Sequence, residues 1–256
     1  MPHTPLIKTM FSLGNGFYKR ITRLLLPAVF ALSIGNNAKA QEMNLGAYDH
    51  TRLHFGFIIA FNTTNFVVQP IENLGGHFND TLKMISSKPL TSFNLGIVSE
   101  LKIGPYLKLR FVPDLAFSDR DLEYFFASSK DTIVRGKPIE STFLDFPIDI
   151  KLISKRLVNF QAYVLAGAKY VTDLASQANV DQALAGANAT VRLVRNDYQY
   201  EAGAGVQFFL PYFKFGLEIK LSQGIRNLVV RDNTVYTQSL ESLTSKVWLF
   251  TLTFEG

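Results

Sequence analysis

Apolar and polar residues alternate one for one along much of this chain. From Thr91 onward, Phe93, Leu95, Ile97, Leu101 and Ile103 share one face, with Ser99 the exception, while Ser92, Asn94, Gly96, Glu100 and Lys102 share the other. A period of two predicts a strand. Gly104 and Pro105 turn the chain, after which Leu107, Leu109, Phe111, Leu115 and Phe117 fall opposite Tyr106, Lys108, Arg110 and Asp114. Phe213, Phe215, Leu217, Ile219 and Leu221 oppose Lys214, Gly216, Glu218 and Lys220 in the same way. Across 92–103, 106–117 and 213–222 the apolar face has 17 positions and no charge, whereas the opposite face has 17 positions and eight charges. A helical period of 3.6 would mix the two sets.

Five further segments fit the pattern: 53–66, 142–153, 160–172, 197–210 and 245–254. The connections among the eight strands are of two kinds. Three of them (104–105, 154–159, 211–212) hold two, six and two residues, and four (67–91, 118–141, 173–196, 223–244) hold between 22 and 25. Short turns at one rim and long loops at the other predict an all-β fold, an eight-stranded antiparallel transmembrane β-barrel over 53–254 with short periplasmic turns and long extracellular loops. Closure is required, because lipid offers no hydrogen-bonding partner to an open sheet edge. A soluble β-sandwich or a lipocalin-like barrel also carries one apolar face per strand. Loops beyond about 15 residues are uncommon in compact soluble domains, however, and a lipocalin turns its apolar face inward. Tyr106, Phe117, Tyr170, Tyr198, Tyr212, Phe213 and Phe254 lie near strand ends, where interfacial aromatic girdles are expected.

Charge sharpens the picture once its position is considered. The chain has 26 Lys+Arg and 21 Asp+Glu, but five of those bases (Lys8, Lys19, Arg20, Arg23, Lys39) precede Gln41 and no acid does. Removing five of the 26 bases leaves 21 against 21, so the remainder is neutral. Residues 1–40 read as a signal peptide for export through the inner membrane: a basic stretch, the apolar run Leu24 to Ile34, and Ala38-Lys39-Ala40 before a cleavage placed ahead of Gln41. That run falls short of the ~20 residues a spanning helix needs, which argues against a membrane anchor. Residues 41–52 then form a periplasmic N-terminal segment before the barrel. With no Cys, there is no disulfide framework or thiol chemistry to expect.

If the charged faces line the lumen, Glu100, Lys102, Lys108, Arg110, Asp114, Asp145, Asp149, Lys151, Glu201, Glu218 and Lys220 point inward. Eight strands enclose only enough room for side chains, and buried ions must be paired, so these residues are expected to form a structural ionic network rather than an open pore. His50, His54 and His77 have no ligand spacing, so no metal or cofactor site is inferred. Gly203-Ala204-Gly205 lies mid-strand with no helix after it, where glycines relieve crowding rather than cradle phosphate. Asp119, Arg120, Asp121, Arg192, Arg195 and Arg231 fall in long loops and are the positions open to partner contact. The arginines are too scattered for a nucleic-acid footprint, and no small-molecule substrate is inferred.

Several stretches carry a family likeness: LHFGFIIAFNTTNF (Leu53 to Phe66), LKLRFVPDLAFSDRDLEY (Leu107 to Tyr124), FLDFPIDIK (Phe143 to Lys151), YVLAGAKY (Tyr163 to Tyr170), Tyr200 to Leu228, and SLESLTSKVWLFTLTFEG (Ser239 to Gly256). Together they resemble the PorT family of Bacteroidota. The resemblance implies a single-chain outer-membrane barrel serving the type IX secretion system, which exports proteins bearing C-terminal signals and in some species supports gliding. It implies no catalytic residues. Phe254 is followed by Glu255 and Gly256, a two-residue offset from the usual terminal aromatic. The expected role is therefore a noncatalytic accessory or assembly component, in contact with outer-membrane lipid and other secretion-system proteins. A lipid-modifying or proteolytic enzyme with a rim site, built from residues such as Asp119, Asp121, His77 and a loop serine, is the alternative, as is a generic adhesion or ligand-binding barrel.

Overall fold

In the computed structural model the described residues are 43–256, apart from 73–81, 128–131, 140, 177–190 and 233. The signal segment 1–40, its cleavage position and His77 lie outside them. The strands are β1 (Leu53–Pro70), β2 (Leu82–Lys88), β3 (Leu90–Lys102), β4 (Leu107–Phe111), β5 (Asp114–Phe117), β6 (Arg120–Ala127), β7 (Thr132–Ile139), β8 (Thr142–Ile153), β9 (Phe160–Asp173), β10 (Asn196–Phe209), β11 (Lys214–Gly224) and β12 (Leu240–Glu255).

One antiparallel sheet closes on itself. Its order runs β1, β12, β11, β10, β9, β8, then β4 and β5 side by side in sequence, then β3, which pairs back to β1. Closure is continuous in register from Gly56↔Glu255 to Gln69↔Ser242 on one side of β1, with a shift before Pro70↔Leu240, and from Leu53↔Leu101 to Thr64↔Leu90 on the other. The segment expected as one strand over 106–117 is divided into β4 and β5, because Pro113 has no N–H to give the ladder. The Pro113 carbonyl still accepts the Ile97 amide at 3.0 Å, so the two pieces occupy one strand position and the barrel has eight.

Alternation determines which side each residue occupies. Phe57, Phe93, Leu95, Ile97, Ile148, Ile150, Ile219, Trp248 and Phe250 are exposed on the outside, whereas the intervening charged residues are buried. Such a surface suits hydrocarbon rather than water. No helix among the described residues is long and apolar enough to cross a membrane.

The long connections are more ordered than loop composition suggests. β2, β6 and β7 form a separate three-stranded sheet at the loop side. Beneath it, Phe66, Leu82, Ile85, Leu122, Tyr124, Leu228, Tyr236, Leu240 and Leu243 make an apolar core. β1 and β12 both run past their membrane-length portions into this cap, and a helical turn (Val235–Gln238) leads into β12. Tyr124 donates its hydroxyl to the Tyr236 carbonyl at 3.0 Å, and burial raises its phenol above the ordinary value.

Candidate functional site

The barrel interior is filled by ion pairs that descend in a series from the turn side to the loop side. Nearest the turns, Glu100 is fully buried and receives three ammonium groups: Lys108 at 2.6 Å, Lys151 at 2.8 Å and Lys214 at 3.1 Å. These lysines come from β4, β8 and β11, so one carboxylate ties together four strands. Lys214 also reaches Glu255 at 2.5 Å. Further along, Arg110 donates to Glu218 at 2.6 Å and to Thr253 at 3.0 Å, and Tyr163 donates to the same Glu218 oxygen at 2.8 Å. Lys220 then pairs with Glu201 at 2.8 Å and Asp149 at 3.5 Å. Lys169 pairs with Asp145 at 2.8 Å, and Asn94 donates to Asp114 at 2.6 Å.

Small residues make room for this packing. A Cβ on Gly205 would stand 2.5 Å from the Tyr163 ring and one on Gly167 only 2.3 Å from an Asp149 oxygen, so both positions demand the missing side chain. Breaking one partner of such a pair leaves an uncompensated buried charge, typically at a cost of about 3–5 kcal/mol.

Of the residues assigned to the lumen from alternation, Glu100, Lys108, Arg110, Asp114, Asp145, Asp149, Lys151, Glu201, Glu218 and Lys220 are buried there. Lys102 is not: it is half-buried and borders a turn-side recess of about 250 Å³, because β3 ends at that residue and its side chain clears the rim. Lys169, Lys214 and Glu255 belong to the network but were absent from the sequence assignment. The alternation of their own strands carried the signal for the first two. Glu255 was read only as an offset from the terminal aromatic, whereas its carboxylate is a lumen partner of Lys214.

The N-terminal segment closes the turn side. A 3-10 turn (Gly46–Asp49) places Tyr48 in the mouth, stacked on His54 at 3.6 Å and edge-on to Phe209 at 5.9 Å. Its hydroxyl donates to Glu255 at 3.0 Å, and burial beside the Glu255 and Glu100 carboxylates pushes the phenol far above its ordinary value. Asn44 is clasped by Arg156, accepts at its carbonyl, and donates from its side chain to the Phe209 carbonyl at 3.0 Å. Arg156 itself lies 3.6 Å over the Phe209 ring.

The loop residues expected to meet partners scatter. Asp119 is exposed, but Arg120 is buried, sandwiched between the rings of Phe66 and Phe143 at 4.8 Å from each. This corrects the expectation of an accessible contact: β6 starts at Arg120 and alternation turns its side chain inward under the cap. Asp121 is half-buried with its carboxylate against Gly136. No group of acids and histidines among the described residues forms a metal cluster. Arg192 pairs with Asp232 at 3.4 Å, while Arg195 and Arg231 donate to the carbonyls of Asp173 at 3.2 Å and Glu241 at 3.4 Å. Burial works to raise the Asp232 carboxyl, yet hydrogen bonds from Thr234 and Thr237 hold it below its ordinary value.

A closed eight-stranded ring with an apolar coat agrees with comparison to known families, in which the family described as "Outer membrane protein beta-barrel domain" matches residues 39–230. The chain belongs to that family, and its location is the outer membrane. The barrel is similar to the outer membrane protein OprG from Pseudomonas aeruginosa, at 12% identity and a TM-score of 0.43, covering 79% of this chain and 92% of OprG. It is similar to Ail, the attachment invasion locus protein of Yersinia pestis, at 13% identity and a TM-score of 0.36, covering 80% of this chain and 100% of Ail. It is also similar to the outer membrane protease OmpT from Escherichia coli, at 10% identity and a TM-score of 0.39, covering 80% of this chain and 96% of OmpT. Curated proteins yield no match.

Proposed function

We propose that this outer-membrane barrel is a noncatalytic accessory or assembly component of the type IX secretion system, acting on other proteins of that machine through its rims. The observation that carries the reading is the filled lumen. Glu100 with its three lysines and the Arg110–Glu218 pair occupy the interior, and Tyr48 covers its turn-side end. With the interior given over to structure, function falls to the surfaces presented at either rim. The ordered cap of β2, β6 and β7 supplies one such surface, and the turn-side recess beside Tyr48 and Lys102 supplies another. The resemblance to the PorT family, spread over nearly the whole chain after Gln41, supports the choice of machine. Deletion of the gene followed by comparison of the secretome tests it: export of C-terminally tagged cargo should fall and be restored by the intact gene. Unchanged export in the deletion strain refutes the proposal.

A further inference from the structure

The three short turns, 103–106, 154–159 and 210–213, contain two bases and no acid. At the same rim the Lys102 amide donates to the Arg52 carbonyl at 2.7 Å, which brings two further bases together. The turn-side recess of about 250 Å³ is lined by Lys102, Lys155 and Arg156 together with Lys108, Tyr48 and Tyr106. Among the described residues, no acidic side chain lines it. Lys102 is paired across β3 and β4 with the buried Lys108 and so shares its inward face, and Lys155 follows the buried Lys151 and Ile153 just past the end of β8. These charges therefore stand over the mouth of the lumen, inside the ring of strands, rather than against the surrounding lipid.

The ions beneath the recess do not offset this charge. Lys108, Lys151 and Lys214 share two carboxylates, Glu100 and Glu255, so three cations face two anions and one positive charge is left over. The surplus acid lies deeper, where Lys220 faces both Glu201 and Asp149. The interior thus turns its positive end toward the recess, and low-dielectric walls focus that field into the mouth. Arg156 is held by the Asn44 and Val158 carbonyls and over the Phe209 ring, which fixes its guanidinium in place without neutralising it.

We propose that the turn-side recess binds an acidic peptide segment of a periplasmic partner protein, with carboxylates on Lys102 and Lys155 and an aromatic or apolar side chain against Tyr106. This rests on the reading that the barrel acts on other proteins through its rims, and it names the partner's chemistry at one of them. A volume of about 250 Å³ falls below the ~300–1,000 Å³ that encloses a whole small ligand, so the recess suits a few side chains presented by a larger molecule. Tyr106 is 56% exposed and supplies an aromatic surface beside the cations. Short turns place this mouth on the periplasmic side, and inner-leaflet headgroups lie outside the strand ring that surrounds it.

The test uses the mature chain folded in non-ionic detergent and a peptide of alternating Glu and Tyr carrying a neutral dye, with a Gln-for-Glu peptide as control, followed by fluorescence anisotropy. Wild type should bind the acidic peptide, and the Lys102→Gln/Lys155→Gln double variant should bind it about tenfold more weakly, as expected for loss of two rim charges. Lys83→Gln/Lys88→Gln removes the same charge from exposed positions of β2 at the loop side and should leave binding unchanged. Unchanged heat-dependent gel mobility establishes that each variant barrel is intact. No binding by wild type, equal binding of the neutral peptide, equal binding by the recess variant, or equal weakening by the loop-side variant overturns the proposal. If the recess variant loses affinity for phosphatidylglycerol micelles but not for the peptide, the recess is a lipid site and the peptide assignment falls. The assay does not depend on export, so unchanged export in the deletion strain would refute the secretion reading while leaving the peptide result standing.

Discussion

Glu100→Gln is the sharpest test of the ionic interior. In the structure this carboxylate has no solvent exposure and is paired with Lys108, Lys151 and Lys214 at 2.6–3.1 Å. At an effective dielectric of ~20, a pair 2.8 Å apart gains roughly 6 kcal/mol before desolvation is counted. Desolvating each ion costs several kcal/mol, so the cluster as a whole contributes little net stability, but removing only its anion leaves three neighbouring ammonium groups with Glu255 as the nearest remaining carboxylate partner. The expected loss is about 3–5 kcal/mol. Urea unfolding of the barrel in lipid vesicles, followed by tryptophan fluorescence from Trp248 and by the unheated gel mobility, measures it. Adding Lys151→Met to Glu100→Gln should recover part of the loss, since one unpaired cation is replaced by an apolar side chain of similar length. A loss below about 1 kcal/mol for Glu100→Gln would refute the view that these charges are desolvated and mutually required.

Two further expectations follow from the ends of the barrel. Tyr48→Ala removes the stacked ring at the turn-side mouth and should cost about 3–5 kcal/mol, yet it should not create a steady open conductance in planar bilayers because the Glu100 cluster remains behind it; a stable channel in that variant would show that the plug alone closes the lumen. Asp232, whose carboxyl is held below its ordinary value, contributes stability to the turn at Thr234–Gln238 that is fully present above the unfolded value near 3.9 and is lost as pH falls through the lower folded value. Hydrogen exchange of residues 234–239, corrected for intrinsic rate, should rise as the solution is acidified below pH 4, and Asp232→Asn should abolish that dependence; a pH-independent wild-type profile would contradict it.

The strand segments, the sorting of faces and the barrel class were legible from the sequence because a period of two ties each residue to one side of a sheet, whatever the partner strand. Ten of the buried lumen charges could be named that way, Glu100 and Arg110 among them. Alternation says nothing of who meets whom across the lumen. That Glu100 gathers lysines from β8 and β11, or that Tyr163 shares Glu218 with Arg110, depends on closure and register, which bring together residues more than 50 positions apart. The cap was illegible for a related reason. Its short strands β2 and β6 bury their apolar residues against Tyr236, Leu240 and Leu243 from a distant part of the chain, so no single segment displayed a complete face. Arg120 was misplaced by the same limit: a charge in a polar stretch looks solvated until Phe66 and Phe143 are folded over it. The sequence by itself thus determined the coat and the lining of this barrel, through local sterics and the demand that lipid meet apolar atoms. Only the tertiary structure decided which ions pair, what closes the turn-side mouth and which loop residues stay exposed, because those outcomes depend on contacts made after the ring has closed.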